Sequence, residues 1–209
     1  MKELIRRTKA ITNNQQGFTI TLLFLVLLPV IFYILVSTTE MTTVVQSGDM
    51  DMQEGMVLAA KAGAEQLDMN LHPQGIFQIL PDNANAAYRK VLARNMGLNE
   101  ATLMPSTKAY SSAPRYCLLV YNGTSTGSTA NKKYIFDGST TTSSSFAPTG
   151  FPKSFVFNGL DIVVGSGENS ITLDEPGVIV IMSIDQNDLL NNSDRTITRW
   201  AVARLKTVN

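Results

Sequence analysis

A run of nineteen residues without a charge, Phe18 to Val36, constrains this chain more than any other feature. Fifteen of the nineteen are Phe, Ile, Leu or Val. At 1.5 Å per residue a helix of that length spans about 28 Å, close to the thickness of the hydrocarbon core of a bilayer. At roughly −0.4 kcal/mol for each apolar side chain, insertion is favoured by about 6 kcal/mol. The run therefore predicts a helix that enters a membrane.

The charges predict how the two ends of the chain are placed. The 209 residues carry 17 basic and 17 acidic side chains, and a net charge of zero argues against direct binding of nucleic acid. Residues 1–17 contain four basic residues and one acidic residue, so the remainder contains 13 basic and 16 acidic residues. This asymmetry predicts a single pass through the cytoplasmic membrane, with the N-terminus inside and the C-terminal domain outside.

Three interpretations of the apolar run are open. A cleaved secretory signal has an apolar stretch of about 7–15 residues and a small-residue cleavage site, and "STTEMTT" after Val36 offers no such site. An uncleaved signal anchor requires only a long apolar stretch. In the third interpretation the helix is kept and only the basic leader in front of it is removed.

The junction between leader and apolar run resembles a class III (prepilin) signal. Residues 1–17 end in Gly17, and Phe18 begins the apolar run. In the type IV pilin family a membrane-embedded prepilin peptidase cuts after this glycine on the cytoplasmic side, so the helix stays in the mature protein. The resemblance implies processing between Gly17 and Phe18, methylation of the new N-terminus, and assembly through the helix Phe18–Val36.

One residue departs from the pilin pattern. Major type IV pilins have Glu at the fifth mature position, which is Leu22 in this chain. A carboxylate in a membrane helix is costly to keep, and leucine is not. The departure predicts a minor, initiating or tip subunit rather than the main repeating one.

The apolar run also resembles small Tad-pilus pseudopilins of the TadE/TadG type. These proteins carry a Leu/Val-rich run, a proline about eleven residues past the leader glycine, and a closing Glu. Here Pro29 is the twelfth residue after Gly17, and Glu40 closes the run. Proline is also tolerated in membrane helices in general, where it produces a kink.

Two helices are predicted after the leader. Apolar or small residues at steps of three and four continue from Met41 to Leu71, and His72-Pro73 ends the pattern. The prediction is one helix of roughly fifty residues, with a membrane half and an amphipathic half. A second helix is predicted from about Asn83 to Met96, with Gly97 as its stop.

From Tyr110 onward the pattern changes to short strands rich in β-branched and aromatic residues. In the last strand, Trp200 and Val202 share one face and Arg199 lies on the other. The predicted fold class is α+β. In the arrangement that the pilin resemblance implies, the long N-terminal helix packs on a C-terminal antiparallel sheet. The five predicted strands are 115–123, 132–138, 153–165, 177–185 and 196–208.

The chain is predicted to consist of four segments: a leader (1–17), a transmembrane or assembly helix (18–36), a helical stalk with the second helix (37–109) and an antiparallel β domain (110–209). Apart from one short strand, residues 122–150 are dominated by Ser, Thr and Gly, which predicts exposed loop. This loop is either bare or O-glycosylated. Asn122 and Asn191 fit the N-glycosylation pattern N-x-[ST].

Residues for catalysis are scarce. His72 is the only histidine and Cys117 the only cysteine, so a histidine-based dyad, a zinc cluster or an internal disulfide lacks partners. Because Cys117 lies inside an apolar strand, it is interpreted as a core residue rather than a nucleophile. No catalytic residue, no enzyme activity and no cofactor are predicted.

Two acidic stretches resemble calcium-binding loops but lack the D-x-[DN]-x-[DN]-G spacing. Solvated helix surface and polar turn are the simpler interpretations, and no metal site is predicted. The two sets are Asp49, Asp51 and Glu54, and Asp185, Asn187, Asp188 and Asp194.

These patterns predict a structural, pilin-like or minor pseudopilin subunit of a type IV or Tad-like filament at the cell surface. Its expected partners are membrane lipid, other pilin-like subunits in a homo- or hetero-oligomer, and prepilin peptidase. The alternative is an uncleaved, signal-anchored surface domain that binds a partner or a polysaccharide without forming a filament.

Overall fold

The computed structural model describes residues 21–36, 52–106, 109–168, 170–187 and 194–205. The chain divides into two compact units, Met1–Gln46 and Ser47–Asn209. In the first unit, residues 21–36 are helical and are called α1.

The second unit is α+β. Its described helices are α2 (52–64) and α3 (Pro81–Met96), and a 3-10 turn, His72–Gln74, lies between them. Its strands are β1 (Arg115–Tyr121), β2 (Lys132–Phe136), β3 (Thr141–Ser145), β4 (Lys153–Asn158), β5 (Asp161–Val164), β6 (Ile171–Leu173), β7 (Gly177–Asn187) and β8 (Asp194–Arg204).

The strands form two antiparallel sheets. One has five strands in the order β3-β2-β1-β7-β8, and the other has three in the order β5-β4-β6. The helices cover one face of the five-stranded sheet, and the small sheet covers the other face. The unit is therefore built in three layers with two hydrophobic cores.

Strand β1 shows why two cores form. Alternate side chains of a strand point to opposite faces, and almost every residue of β1 is apolar. Tyr116, Leu118 and Val120 pack with the helices in the first core, whereas Cys117 and Leu119 pack with the small sheet in the second. A strand buried on both faces reads as a continuous apolar run, and β7 has the same character.

The predicted single helix of about fifty residues is wrong. The described helical segments are short, and none exceeds 16 residues. The sequence between α1 and α2, residues 37–51, lies outside the described residues. The prediction rested on apolar spacing, which does not by itself determine where a helix ends.

Helix α2 also ends earlier than predicted, at residue 64 instead of His72. Leu67 forms an antiparallel bridge with Ile79, and the backbone N–H of Asp68 donates to the carbonyl of Gln78 at 2.9 Å. This pairing takes the chain out of the helix, although the apolar spacing continues. Helix α3 ends at Met96 as predicted, because Gly97 adopts φ 63° and closes it.

The described residues contain no helix that is both long enough and apolar enough to cross a membrane. This finding contradicts the predicted localisation, a single pass through the cytoplasmic membrane.

Four of the five predicted strands coincide with β1, β2, β7 and β8 within a few residues. The fifth, 153–165, is in fact the hairpin of β4 and β5, joined by a two-residue turn in which Gly159 has φ 60°. Strands β3 and β6 were not predicted. Strand β3 lies in the Ser/Thr-rich segment that was predicted to be loop. It escaped prediction because it buries no side chain and is held only by backbone pairing with β2.

Candidate functional site

The structure describes three of the six residues predicted for processing and assembly. Gly17, Phe18 and Glu40 lie outside the described residues. Leu22, Pro29 and Val36 lie on α1. Residues 21–36 of the predicted segment 18–36 are therefore helical, and the predicted processing junction lies outside the described residues.

Helix α1 exposes large apolar side chains on every side. None of its residues is charged, and fourteen large hydrophobic side chains are between 38% (Val36) and 72% (Leu25, Tyr33) exposed. A helix that is apolar all round is normally buried, and an exposed apolar surface of this kind marks an interaction site. We call this surface, residues 21–36, the apolar helix surface.

Pro29 lies inside α1 rather than at its end. Proline has no backbone N–H, so α1 has one internal hydrogen bond fewer, at the carbonyl of Leu25 four residues earlier. A carbonyl in this position accepts a bond from a neighbouring side chain or from water. Pro29 thus gives the interior of α1 a carbonyl, that of Leu25, that its own helix cannot pair.

A cluster of side chains of the types used in catalysis lies between β2 and β5 of the second unit. Lys133 Nζ on β2 lies 2.7 Å from Asp161 Oδ1 on β5, and the Cys117 thiol donates to the same oxygen at 3.8 Å. The lysine side chain is 16% exposed and the aspartate side chain 43% exposed. The cluster lies where the five-stranded sheet meets the small sheet. No sequence pattern predicted it, because its members are far apart along the chain.

The chemistry of this cluster suits a structural contact. Burial, and next the charge of Asp161, raise the pKa of the Cys117 thiol to about 12. The thiolate is the nucleophilic form of cysteine, so Cys117 is unreactive near neutral pH. The Lys133 ammonium neutralises Asp161 and ties β2 to β5. Cys117 is a core residue, as its apolar strand predicted.

A second polar cluster surrounds Asn122, which is only 4% exposed. Its Oδ1 accepts from the N–H of Ile79 at 2.8 Å, and its Nδ2 donates to the carbonyls of Ile79 and Thr129 at 2.8 and 2.7 Å. The backbone N–H of Asn122 donates to Asn131 Oδ1 at 2.7 Å. The side-chain amide of Asn122 thus bonds to both the N–H and the C=O of Ile79, as the backbone of a neighbouring strand would.

This arrangement bears on the predicted N-glycosylation pattern. The Nδ2 of Asn122, the atom that would carry a glycan, is buried and donates two hydrogen bonds in the folded protein. Asn122 is therefore a structural residue, although its sequence fits the acceptor pattern. The other match, Asn191, lies outside the described residues.

The two acidic stretches do not form a metal centre in the described part of the chain. Asp49, Asp51 and Asp188 lie outside it, and Glu54 is exposed on α2. Among the described residues no group of three or more His, Cys, Asp or Glu side chains is placed to hold a metal ion. The Asp185 carboxylate accepts from Thr196 at 2.6 Å and from Ser112 at 2.9 Å, and these bonds lower its pKa.

An open depression of about 430 Å³ lies between α3, residue Glu100 and β3. The Arg89 guanidinium donates to Thr141 Oγ1 at 2.8 Å and to the carbonyl of Ala101 at 3.1 Å, and it lies over the Phe136 ring. Lys90 Nζ lies 3.9 Å from Glu100. Both cations therefore hold α3 against the loop and the sheet, and they do not converge on the depression.

Comparisons with known proteins yield no relative. No protein-family model, no curated protein and no solved structure matches this chain. The apolar helix surface and the sequence around Gly17 are therefore the features from which a function can be argued.

Proposed function

We propose that this protein is a structural, pilin-like subunit that is processed after Gly17 and assembled into a type IV or Tad-like filament through α1. The observation that carries the proposal is the apolar helix surface, with fourteen exposed large side chains and no charge. Fully burying one such side chain is worth about 1.5–3 kcal/mol, so the surface favours association strongly.

The occupant that fits this surface is the same helix from other subunits. The surface has no charged group that would require a complementary charge, and it is apolar on all sides, so several neighbours can pack on it at once. Uncharged helices of this kind associate by close packing of side chains. Leu22 stands where major pilins carry Glu, which supports a minor or initiating subunit over the main repeating one.

The first test is the N-terminal sequence of the full chain after co-expression with a prepilin peptidase. The expected product begins at Phe18, and a Gly17→Val variant is expected to keep its leader. A chain that still begins at Met1 in the presence of active peptidase overturns the processing step.

The second test separates assembly from folding. Leu27 on α1 and Val164 on β5 are both 45% exposed, so Leu27→Asp and Val164→Asp are matched changes. Leu27→Asp is expected to abolish filaments or large oligomers seen by electron microscopy and sedimentation, while circular dichroism shows an intact β fold. If both variants assemble like the wild type, α1 is not the assembly surface.

A second candidate function, binding of a polysaccharide, is favoured by one observation. Trp200 on the edge strand β8 is 50% exposed and stacks on Phe157 of β4, with ring centroids 5.6 Å apart. The half-buried Phe157 supports the exposed Trp200 ring, which offers a flat apolar surface of the kind on which sugar rings stack. A titration with soluble polysaccharides, followed by the fluorescence of Trp200, tests this function, and the Trp200→Phe variant measured by calorimetry is its control.

A further inference from the structure

The five-stranded sheet has two edges, β3 and β8, and no other described part of the chain bonds to the backbone on the outer side of β3. The N–H of Asp137 donates to the carbonyl of Thr140, and the N–H of Phe146 donates to the carbonyl of Asn131. In an antiparallel pair, residues alternate between bonding to the partner strand and pointing away from it. The register of β2 and β3 then places the N–H and C=O groups of Thr141, Ser143 and Ser145 on the outer side.

The other edge, β8, is protected. The N–H of Leu205 donates to the carbonyl of Pro176, so Leu205 bonds to the β7 side. Because the bonding direction alternates along β8, the N–H and C=O groups of Trp200 point outward. Gln53 of α2 occupies that position, since its Nε2 donates to the Trp200 carbonyl at 3.2 Å. Strand β8 also carries Arg195, Arg199 and Arg204, and charged residues are a common device against edge pairing.

Strand β3 has none of these devices. Its sequence is Thr-Thr-Ser-Ser-Ser, without charge, proline or glycine, and all five side chains are exposed. The nearest lysines, Lys132 and Lys133 on β2, are neutralised by Asp82 and Asp161 at 2.7 Å. The Arg89 guanidinium is held at Thr141 by its bonds to Thr141 Oγ1 and to the carbonyl of Ala101, so a second strand meets one fixed cation at this end of β3 and no charge on the strand itself.

We infer that β3 pairs with β3 of a second copy of this chain, so that two five-stranded sheets become one. Antiparallel pairing around a two-fold axis at Ser143 places Thr141 opposite Ser145 of the copy, and about six backbone hydrogen bonds form. Residues 142 and 144 then face each other as hydroxyl pairs, which stabilise cross-strand contacts. A strand of small, uncharged hydroxyl residues is its own complement. This contact is separate from α1 and does not depend on the proposed function.

The test is disulfide crosslinking of the full chain in mild detergent. A Ser143→Cys pair lies across the two-fold axis, where Cα atoms of a hydrogen-bonded pair are about 5.5 Å apart and a disulfide can close. Ser125→Cys, in an exposed loop, is the matched control, and Cys117 is buried in both. The Ser143→Cys protein is expected to form disulfide-linked dimers at least ten times faster than the control.

The register is tested by charge. In the proposed register, residue 142 of one copy lies opposite residue 144 of the other. In the Ser143→Cys protein, adding Thr142→Lys and Ser144→Lys therefore places two positive charges opposite each other, whereas adding Thr142→Lys and Ser144→Glu places opposite charges there. The first pair is expected to reduce the rate at least tenfold, and the second to retain it. Equal rates for the two pairs, or for Ser143→Cys and Ser125→Cys, overturn the inference. Measuring the same rates in the Leu27→Asp background keeps the result independent of assembly through α1.

Discussion

Replacing Asn122 by Asp removes two hydrogen-bond donors from a buried site and hardly changes the shape of the side chain. In the wild-type protein the amide nitrogen donates to the carbonyls of Ile79 and Thr129, and the amide oxygen accepts from the N–H of Ile79. The Asn122→Asp variant keeps the acceptor and loses both donors. It therefore removes the two bonds and places a carboxyl group in the same site.

The cost follows from the burial of the site. A buried carbonyl deprived of its donor costs about 1–3 kcal/mol, so two of them predict a loss of about 2–6 kcal/mol in the free energy of unfolding. The introduced carboxyl also faces two carbonyl oxygens, and both burial and these oxygens raise its pKa. A group with a raised pKa in the folded state destabilises more as the pH rises, so the loss is expected to be larger at pH 7 than at pH 4.

Urea unfolding, followed by the fluorescence of the single tryptophan, Trp200, measures this loss. With a slope of about 2 kcal/mol per molar urea, a loss of about 4 kcal/mol lowers the midpoint by about 2 M. Asn95→Asp, at an exposed position of α3, is the matched control and is expected to cost less than about 1 kcal/mol. If Asn122→Asp costs no more than this control, the amide of Asn122 is not a required strand-like partner of Ile79.

Three further predictions concern the same unit. At pH 8 a thiol reagent should label Cys117 about a thousandfold more slowly in the folded than in the urea-unfolded protein, because the pKa of its thiol rises from 9.0 to about 12; equal rates would show an accessible thiolate. Asp185→Asn should make the free energy of unfolding depend less steeply on pH in the acid range. The pKa of Asp185 is lower in the folded than in the unfolded protein, so its carboxylate stabilises the fold above the unfolded pKa. This stabilisation is lost as the pH falls through the folded pKa. Unfolding measured at a series of acidic pH values detects the loss. Gly159→Ala should lower the unfolding free energy by about 1 kcal/mol because φ is 60° at this turn; no change in the urea midpoint would refute the turn geometry.

Local sequence pattern predicted the elements whose formation depends on their own residues. The termination of α3 at Gly97 follows from the left-handed conformation that glycine adopts easily. The central strand β1 was recognisable because a strand buried on both faces must be apolar at nearly every position. The face shared by Trp200 and Val202 followed from the two-residue period of a strand, and Val202 packs against the second core while Trp200 stacks on Phe157.

Predictions that needed the partners of an element were the ones that failed. The stripe of α2 extended in sequence to His72, but pairing of Leu67 with Ile79 ends the helix before it. Strand β3 looked like loop because its side chains bury nothing, and only the backbone of β2 makes it a strand. The apolar run was recognised from composition, but no helix among the described residues is long and apolar enough to cross a membrane, which contradicts the localisation inferred from the run.

The sequence by itself determined that residues 21–36 form an uncharged apolar helix and that the chain continues as helices followed by antiparallel strands. Only the tertiary structure decided that Asn122 pairs with Ile79, that Lys133 meets Asp161 across two sheets, and that β3 is left with an open edge. The physical reason is the distance along the chain over which each effect acts. Propensity and periodicity act over one turn or a few residues, whereas these contacts join residues 28 to 43 positions apart and form only once both cores have packed.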